Sequence, residues 1–212
     1  MRVYCIRHGA TDWNEQGKIQ GQADIPLNER GKAEAEQAGR FLTSISLDEA
    51  YCSPLIRARE TAQIVLQSHR CPVFVDGRLK EISYGAGEGV SIPLLRSSPE
   101  MSLWAYFEDP EHYHPCENAE SLEELFARCR LFLDELAARE DCCGNVLVSG
   151  HGAWIRGAIC TVLGLGKADF WKGHKQKNCS ITLLECRNGV WRLLQDAISA
   201  EALIQIENSG RI

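Results

Sequence analysis

Two short apolar segments of this chain end in the same way, in a histidine that is followed by a glycine. Residues 2–6 lead into Arg7-His8-Gly9, and residues 145–149 lead into Gly150-His151-Gly152. Short apolar segments of this kind are typical of buried strands. In open α/β sheets, ligands bind outside the carboxyl ends of the strands. We therefore expect the two histidines to meet across one crevice.

The rest of the chain alternates between short apolar segments and amphipathic segments. The patterns predict further strands over residues 47–52 and 72–75, and helices over residues 29–44, 53–68, 121–140 and 153–163. Asn28 and Ser53 are expected to be N-caps, with Pro54 as the first helical residue of its helix. Residues 178–186 and 190–197 predict a β-hairpin. This alternation predicts a three-layer α/β/α sandwich with a mainly parallel mixed sheet.

The length of 212 residues suits a single domain, residues 1–212, with enough chain to bury a core. Residues 90–118 contain four prolines and no clear periodicity, which predicts an irregular inserted lobe over the site. Leu203, Ile204 and Ile206 predict that the end of the chain also packs against the domain.

Composition limits the partners of this chain. Its formal net charge is −6, which disfavours nucleic acid or an anionic membrane as a partner, because both favour basic surfaces. The sequence has neither a signal peptide nor an apolar run of roughly 18 residues, so we expect a cytoplasmic protein. Ten cysteines lack CxxC spacing and are expected to be reduced and mostly buried. The oligomeric state is left open between monomer and homodimer.

The two histidines and their neighbours suit phosphoryl transfer. A neutral imidazole is a nucleophile near neutral pH, and the planar guanidinium of Arg7 beside His8 can grip phosphate oxygens with two hydrogen bonds. Arg57 lies in the predicted first turn of a helix, where an anion is stabilised. A leaving alkoxide also needs a nearby acid to protonate it.

Several motifs, in order along the chain, resemble those of the histidine phosphatase superfamily, the phosphoglycerate-mutase-like proteins. They span residues 1 to about 160 and lie at residues 7–14, 21–27, 53–62, 79–89, 120–128 and 148–152. The sequence is similar both to broad-specificity phosphatases of this superfamily and to α-ribazole phosphatases. It departs from the family pattern at Gly150, where Ser or Thr is usual.

The resemblance implies a role for each matching residue. His8 would be the nucleophile, Arg7, Arg57 and His151 would hold the phosphoryl oxygens, and Glu81 would be the proton donor. Polar and backbone contacts to the substrate would come from Asn14, Gln20, Gly21 and Gly152. No metal and no cofactor are implied, and the partner would be a small-molecule phosphate ester.

The resemblance leaves a mutase open as the alternative to a phosphatase. Cofactor-dependent phosphoglycerate mutases have an arginine where this chain has Ile82. They also carry basic residues in the lobe, whereas residues 90–126 contain Arg96 as their single arginine or lysine and are rich in acids. We therefore favour hydrolysis. The lobe aromatics Trp104, Tyr106, Phe107 and Tyr113 could line an apolar pocket or form the core of the lobe.

Two further alternatives have other signatures. Glu111, His112, His114, Cys116 and Glu117 are suitable metal ligands, although their spacing matches no established zinc motif. A non-catalytic phosphate-binding regulatory protein would usually lack the nucleophile or the acid, and both are present here.

Overall fold

The computed structural model describes residues 1–210, so the last two residues of the predicted domain lie outside the described part. Six strands run through it: β1 (Arg2–Arg7), β2 (Glu49–Cys52), β3 (Val73–Val75), β4 (Asn145–Gly150), β5 (Ile181–Arg187) and β6 (Val190–Ile198). Its α-helices are α1 (Asp12–Glu15), α2 (Glu29–Leu42), α3 (Ile56–Val65), α4 (Ile92–Ser97), α5 (Ser102–Glu108), α6 (Leu122–Ala137), α7 (Gly152–Leu163) and α8 (Ala200–Asn208).

The strands form one mixed sheet in the order β3-β2-β4-β1-β5-β6. Neighbours from β3 to β1 are parallel, whereas β5 pairs antiparallel with both β1 and β6. Arg7 pairs with Gly150, and Cys52 pairs with Ser149. The residues that follow β1, β4 and β2 therefore leave the sheet side by side at one edge.

Helices cover both faces of the sheet, because successive side chains of a strand point to opposite faces. Val3, Cys5 and Val148 belong to the core beneath α6 and α7. Tyr4 and Ile6 belong to the core beneath α2, α3 and α8. The predicted three-layer sandwich with its mixed sheet is confirmed.

The predicted start of the helix over residues 53–68, which is α3 in the structure, was wrong. Ser53 still pairs with the sheet through a hydrogen bond from its N–H to the Ser149 carbonyl, and α3 begins only at Ile56, with Leu55 as N-cap. The Ser53 hydroxyl accepts from the Leu55 N–H at 3.3 Å and can still donate its own hydrogen to another partner. By contrast, Asn28 caps α2 as predicted, accepting a hydrogen bond from the Gly31 N–H at 2.9 Å.

The predicted irregular lobe is more ordered than expected, because residues 90–118 include α4 and α5. Tyr106 and Tyr113 are buried in contact with each other, and the Tyr84 hydroxyl donates to the Tyr106 hydroxyl at 2.9 Å. Tyr106 and Tyr113, with the partly buried Phe107 packed against them, therefore belong to the packed core of the lobe.

Features near the end of the chain follow the sequence pattern. Leu203 is fully buried where α8 packs on α2, and β5 and β6 form the predicted hairpin.

All ten cysteines are free, and six of them are buried. No helix within residues 1–210 is long and apolar enough to cross a membrane.

Candidate active site

His8 leaves the sheet at the centre of its carboxyl edge, because β1 lies between β4 and β5. The loop after it passes so close to α2 that a side chain on Gly9 would clash with the Gly31 backbone. The His8 Nδ1 lies 2.7 Å from the Gly9 carbonyl oxygen. A carbonyl can only accept, so Nδ1 carries the hydrogen and Nε2 keeps the free lone pair.

Electrostatics keeps this imidazole neutral. Burial, together with the positive charges of Arg57 and Arg7, lowers the pKa of His8 well below its usual value of 6.5. Only 2% of the residue is exposed. The lone pair on Nε2 is therefore available for attack at neutral pH and below.

One partly buried arginine, Arg7, and one fully buried arginine, Arg57, lie close to this histidine. Arg7 donates from Nη1 to the Gln176 carbonyl at 2.6 Å. Arg57 donates from Nη1 to the Ala23 carbonyl at 2.8 Å and from Nη2 to the Gly21 carbonyl at 2.7 Å. Burial lowers the pKa of Arg57 to about 10, so it stays charged at neutral pH. In both arginines Nε is buried and has no hydrogen-bond partner among residues 1–210.

His151 follows β4, and its ring centre lies 5.2 Å from that of His8. Its Nε2 is 2.8 Å from the Ser53 hydroxyl, and its buried Nδ1 has no partner in the described part of the chain. Burial and the charge of Arg57 lower the pKa of His151 well below 6.5. Buried polar groups are nearly always paired, so these unpaired nitrogens of Arg7, Arg57 and His151 indicate a site for an anion.

Glu81 lies against the start of α7. Its Oε2 accepts a hydrogen bond from the Ala153 N–H and its Oε1 accepts one from the Trp154 N–H, each at 3.1 Å. A Cβ on Gly152 would lie 3.5 Å from Arg7 Nε and 3.8 Å from Glu81 Oε2, so this residue lies against both groups. A carboxyl group and a guanidinium thus meet at the N-terminus of α7.

The polar residues predicted to bind substrate surround this group. The Gln20 Oε1 accepts from the Thr11 hydroxyl at 3.0 Å, and the Asn14 Oδ1 accepts from the Asn178 amide at 3.2 Å. Because both side-chain oxygens are engaged, the NH₂ groups of Gln20 and Asn14 remain as donors. Gly21 has a φ of +56°, which allows its carbonyl to reach Arg57.

Sequence reasoning missed three residues that support the site. Ser53 pairs with His151, Asn178 donates to the His8 carbonyl at 3.0 Å, and the Gln176 backbone holds Arg7. The place of Ser53 at the end of β2, beside β4, was a signal that could have revealed it. Gln176 and Asn178 lie in a loop distant in sequence, and no local pattern marks them.

Two charged residues near the site have other contacts. Arg59 is exposed on α3. The Glu88 carboxylate accepts hydrogen bonds from the Gln22 and Tyr84 N–H groups, which ties two loops together. No group of three or more His, Cys, Asp or Glu side chains within residues 1–210 is arranged to hold a metal ion. In the segment considered as a metal site, His112 pairs with Asp109 at 3.0 Å.

Comparison with known proteins places this geometry in a family. The family model described as "Histidine phosphatase superfamily (branch 1)" matches residues 3–198. The chain is 33% identical to the "Probable phosphoglycerate mutase GpmB" of Proteus mirabilis, over 90% of this chain and 87% of that protein. It is 33% identical to the "Uncharacterized phosphatase PhoE" of Bacillus subtilis, over 91% of this chain and 93% of that protein.

Solved structures give the same result. The structure is similar to that of the α-ribazole phosphatase from Shigella flexneri, with a TM-score of 0.80 and 26% identity. The match covers 94% of this chain and 98% of that one. The resemblance predicted from the sequence motifs is therefore confirmed, and both phosphatases and mutases are among the relatives.

Proposed function

Because this chain belongs to the histidine phosphatase superfamily, we propose that it is a metal-independent phosphatase that hydrolyses small-molecule phosphate monoesters through a phosphohistidine on His8. One observation carries the proposal: Arg7, Arg57 and His151 each have a buried nitrogen without a partner among residues 1–210, the two arginine charges act on His8, and the His151 ring lies 5.2 Å from an imidazole whose Nε2 keeps its lone pair. A tetrahedral dianion would satisfy those donors and place its phosphorus before Nε2.

In the first step the His8 Nε2 attacks phosphorus, and the bond from phosphorus to the ester oxygen breaks. The electron pair of that bond goes to the leaving oxygen, which takes a proton from the Glu81 carboxyl group. Arg7, Arg57 and His151 stabilise the charge on the three remaining phosphoryl oxygens. The products are an alcohol and a phosphohistidine.

In the second step water attacks the phosphohistidine. Glu81, now a carboxylate, takes a proton from the attacking water, and the bond between phosphorus and Nε2 breaks. The electron pair returns to Nε2, which restores the neutral histidine and releases inorganic phosphate. No metal takes part, because the two guanidinium groups supply the positive charge that phosphoryl transfer requires.

Hydrolysis is favoured over the mutase reaction by what surrounds this site. Ile82 follows Glu81 and is fully buried in the core, so this position offers no charge to a substrate carboxylate. The one basic side chain of the lobe, Arg96, is paired with Glu108 at 2.6 Å. An acidic lobe of this kind repels a substrate with several negative charges.

A direct assay separates the two reactions. The protein is incubated with 3-phosphoglycerate, with and without its bisphosphorylated cofactor, and in parallel with p-nitrophenyl phosphate. We expect release of inorganic phosphate from the aryl ester and no 2-phosphoglycerate by ³¹P NMR. Interconversion of the phosphoglycerates, faster than any release of phosphate, would contradict the hydrolase proposal and support the mutase.

A further inference from the structure

The loop that carries Glu81 is held from outside the active site by one arginine of α6. Arg128 donates from Nη1 to the carbonyl oxygens of Arg78 and Lys80, at 2.6 Å each. Its Nε and Nη2 form a two-bond ion pair with Glu120, at 2.6 and 2.9 Å. The three nitrogens of this guanidinium thus all donate either to the loop that carries Glu81 or to Glu120.

Glu120 holds the other side of the same loop. Its backbone N–H donates to the Ser83 carbonyl at 2.8 Å, and its Oε2 accepts from the Ser83 N–H at 3.4 Å. The pair therefore grips the backbone just before Glu81, at Lys80, and two residues after it, at Ser83. Both paired side chains are largely buried, with 16% and 14% of their surface exposed.

The helix itself does not need this ion pair to form. Ser121 and Glu124 make a capping box at the start of α6, and Leu122, Leu125 and Phe132 bury its apolar face. Capping and burial of this kind stabilise a helix without further help. The contacts of Arg128 instead converge on the segment that carries Glu81.

We propose that Arg128 and Glu120 are positioning residues, which hold the Glu81 carboxyl group where it can protonate the leaving oxygen. This inference rests on the proposed function, because it assigns the pair to the acid of that reaction. Proton transfer requires an approach within hydrogen-bond distance, and a small displacement of the acid slows it. Neither residue is expected to touch the substrate.

The variants Arg128→Lys and Glu120→Gln test the proposal by leaving-group dependence. A p-nitrophenolate leaves without much help from an acid, whereas an alkoxide does not. We therefore compare kcat/KM, which reports the first chemical step, for p-nitrophenyl phosphate and for an alkyl phosphate. For each variant we expect a loss of about 10- to 100-fold on the alkyl ester and less than about threefold on the aryl ester.

Two other variants make the comparison specific. Arg139→Lys is the matched control, because Arg139 also forms an ion pair, with Glu49 at 2.8 Å, at the opposite edge of the sheet. It should leave the ratio of the two kcat/KM values unchanged. Glu81→Gln should shift the ratio most. Because Arg128 acts through Glu81, adding Arg128→Lys to Glu81→Gln should lower kcat/KM on the alkyl ester little further.

The outcomes distinguish a failure of the acid role of Glu81 from a failure of the positioning role of Arg128 and Glu120. If Glu81→Gln leaves the ratio of the wild type, the acid role fails and the proposed function must be revised. If Glu81→Gln shifts the ratio while Arg128→Lys and Glu120→Gln, both folded by circular dichroism, do not, the positioning role is wrong. An equal loss on both esters would also overturn it, since a general loosening of the site does not depend on the leaving group.

Discussion

Replacing Arg57 by lysine separates charge from geometry at the anion site. Arg57 is fully buried, donates from both Nη atoms to the carbonyls of Gly21 and Ala23, and has an unpartnered Nε. Lysine keeps the charge but presents it from one nitrogen. It can replace at best part of the loop contacts, and it leaves no rigidly placed donor for the phosphoryl group.

The expected effect follows from the hydrogen bonds that are lost. A hydrogen bond to a charged group contributes about 1.5–3 kcal/mol, so losing the Nε contact in the transition state should lower kcat/KM by about 10- to 150-fold. Losing one carbonyl contact should lower the free energy of unfolding by about 1.5–3 kcal/mol, or the Tm by about 3–12 °C.

The assay compares Arg57→Lys with Arg59→Lys, an exposed position two residues along the same helix. Both are measured with p-nitrophenyl phosphate well below the Tm, with folding checked by circular dichroism. The control should match the wild type in kcat/KM and Tm. A folded Arg57→Lys protein with kcat/KM within about twofold of the wild type would refute the assignment of Arg57 to the phosphoryl group.

Four other predictions concern pH, ligand and metal. Because the pKa of His8 is lowered, the acidic limb of kcat/KM for the free enzyme should lie below pH 6.5, and an acidic limb at or above pH 6.5 would contradict this. His8 and His151 are held neutral in the folded state but accept protons when unfolded. The free energy of unfolding, from urea titrations, should therefore fall as the pH falls below 6.5, by at most about 1.4 kcal/mol per pH unit for each histidine. Vanadate should satisfy the unpaired buried donors and stabilise the fold by about 2.7 kcal/mol at 100 times its Kd, and an unchanged Tm would argue against an anion site. EDTA should leave turnover intact, whereas activity that is lost and then restored by zinc would reveal a metal requirement.

The sequence predicted the parts of the site that local patterns encode. His8 and His151 each follow a buried strand and precede a glycine, and the parallel pairing of β1 with β4 brings them together. The strand order itself is a property of the whole chain. It had to come from the structure, although the alternation of strands and helices already indicated a sandwich.

The sequence could not predict the contacts that depend on distant segments. Ser53 has the local signature of an N-cap. In the structure, however, its N–H continues the pairing of β2 with β4, and its hydroxyl contacts His151. Asn178 contacts His8 across 170 residues of chain. Such contacts follow from strand order, and side-chain periodicity within one element carries no information about them.

The order within the lobe shows a related limit. Its four prolines suggested an irregular segment, yet α4 forms with Pro93 in its first turn, α5 follows, and Tyr106 of α5 is fully buried. Tertiary burial of aromatic side chains outweighed the weak helical pattern of these short segments.

The measurement that tests the central claim most directly is a single-turnover reaction with p-nitrophenyl phosphate in EDTA, quenched in alkali and followed by intact mass. The account predicts a transient gain of one phosphoryl mass that localises to His8, decays as inorganic phosphate appears, and is absent from a folded His8→Ala variant. Hydrolysis that proceeds at an undiminished rate in His8→Ala would contradict it, since water would then attack the ester directly.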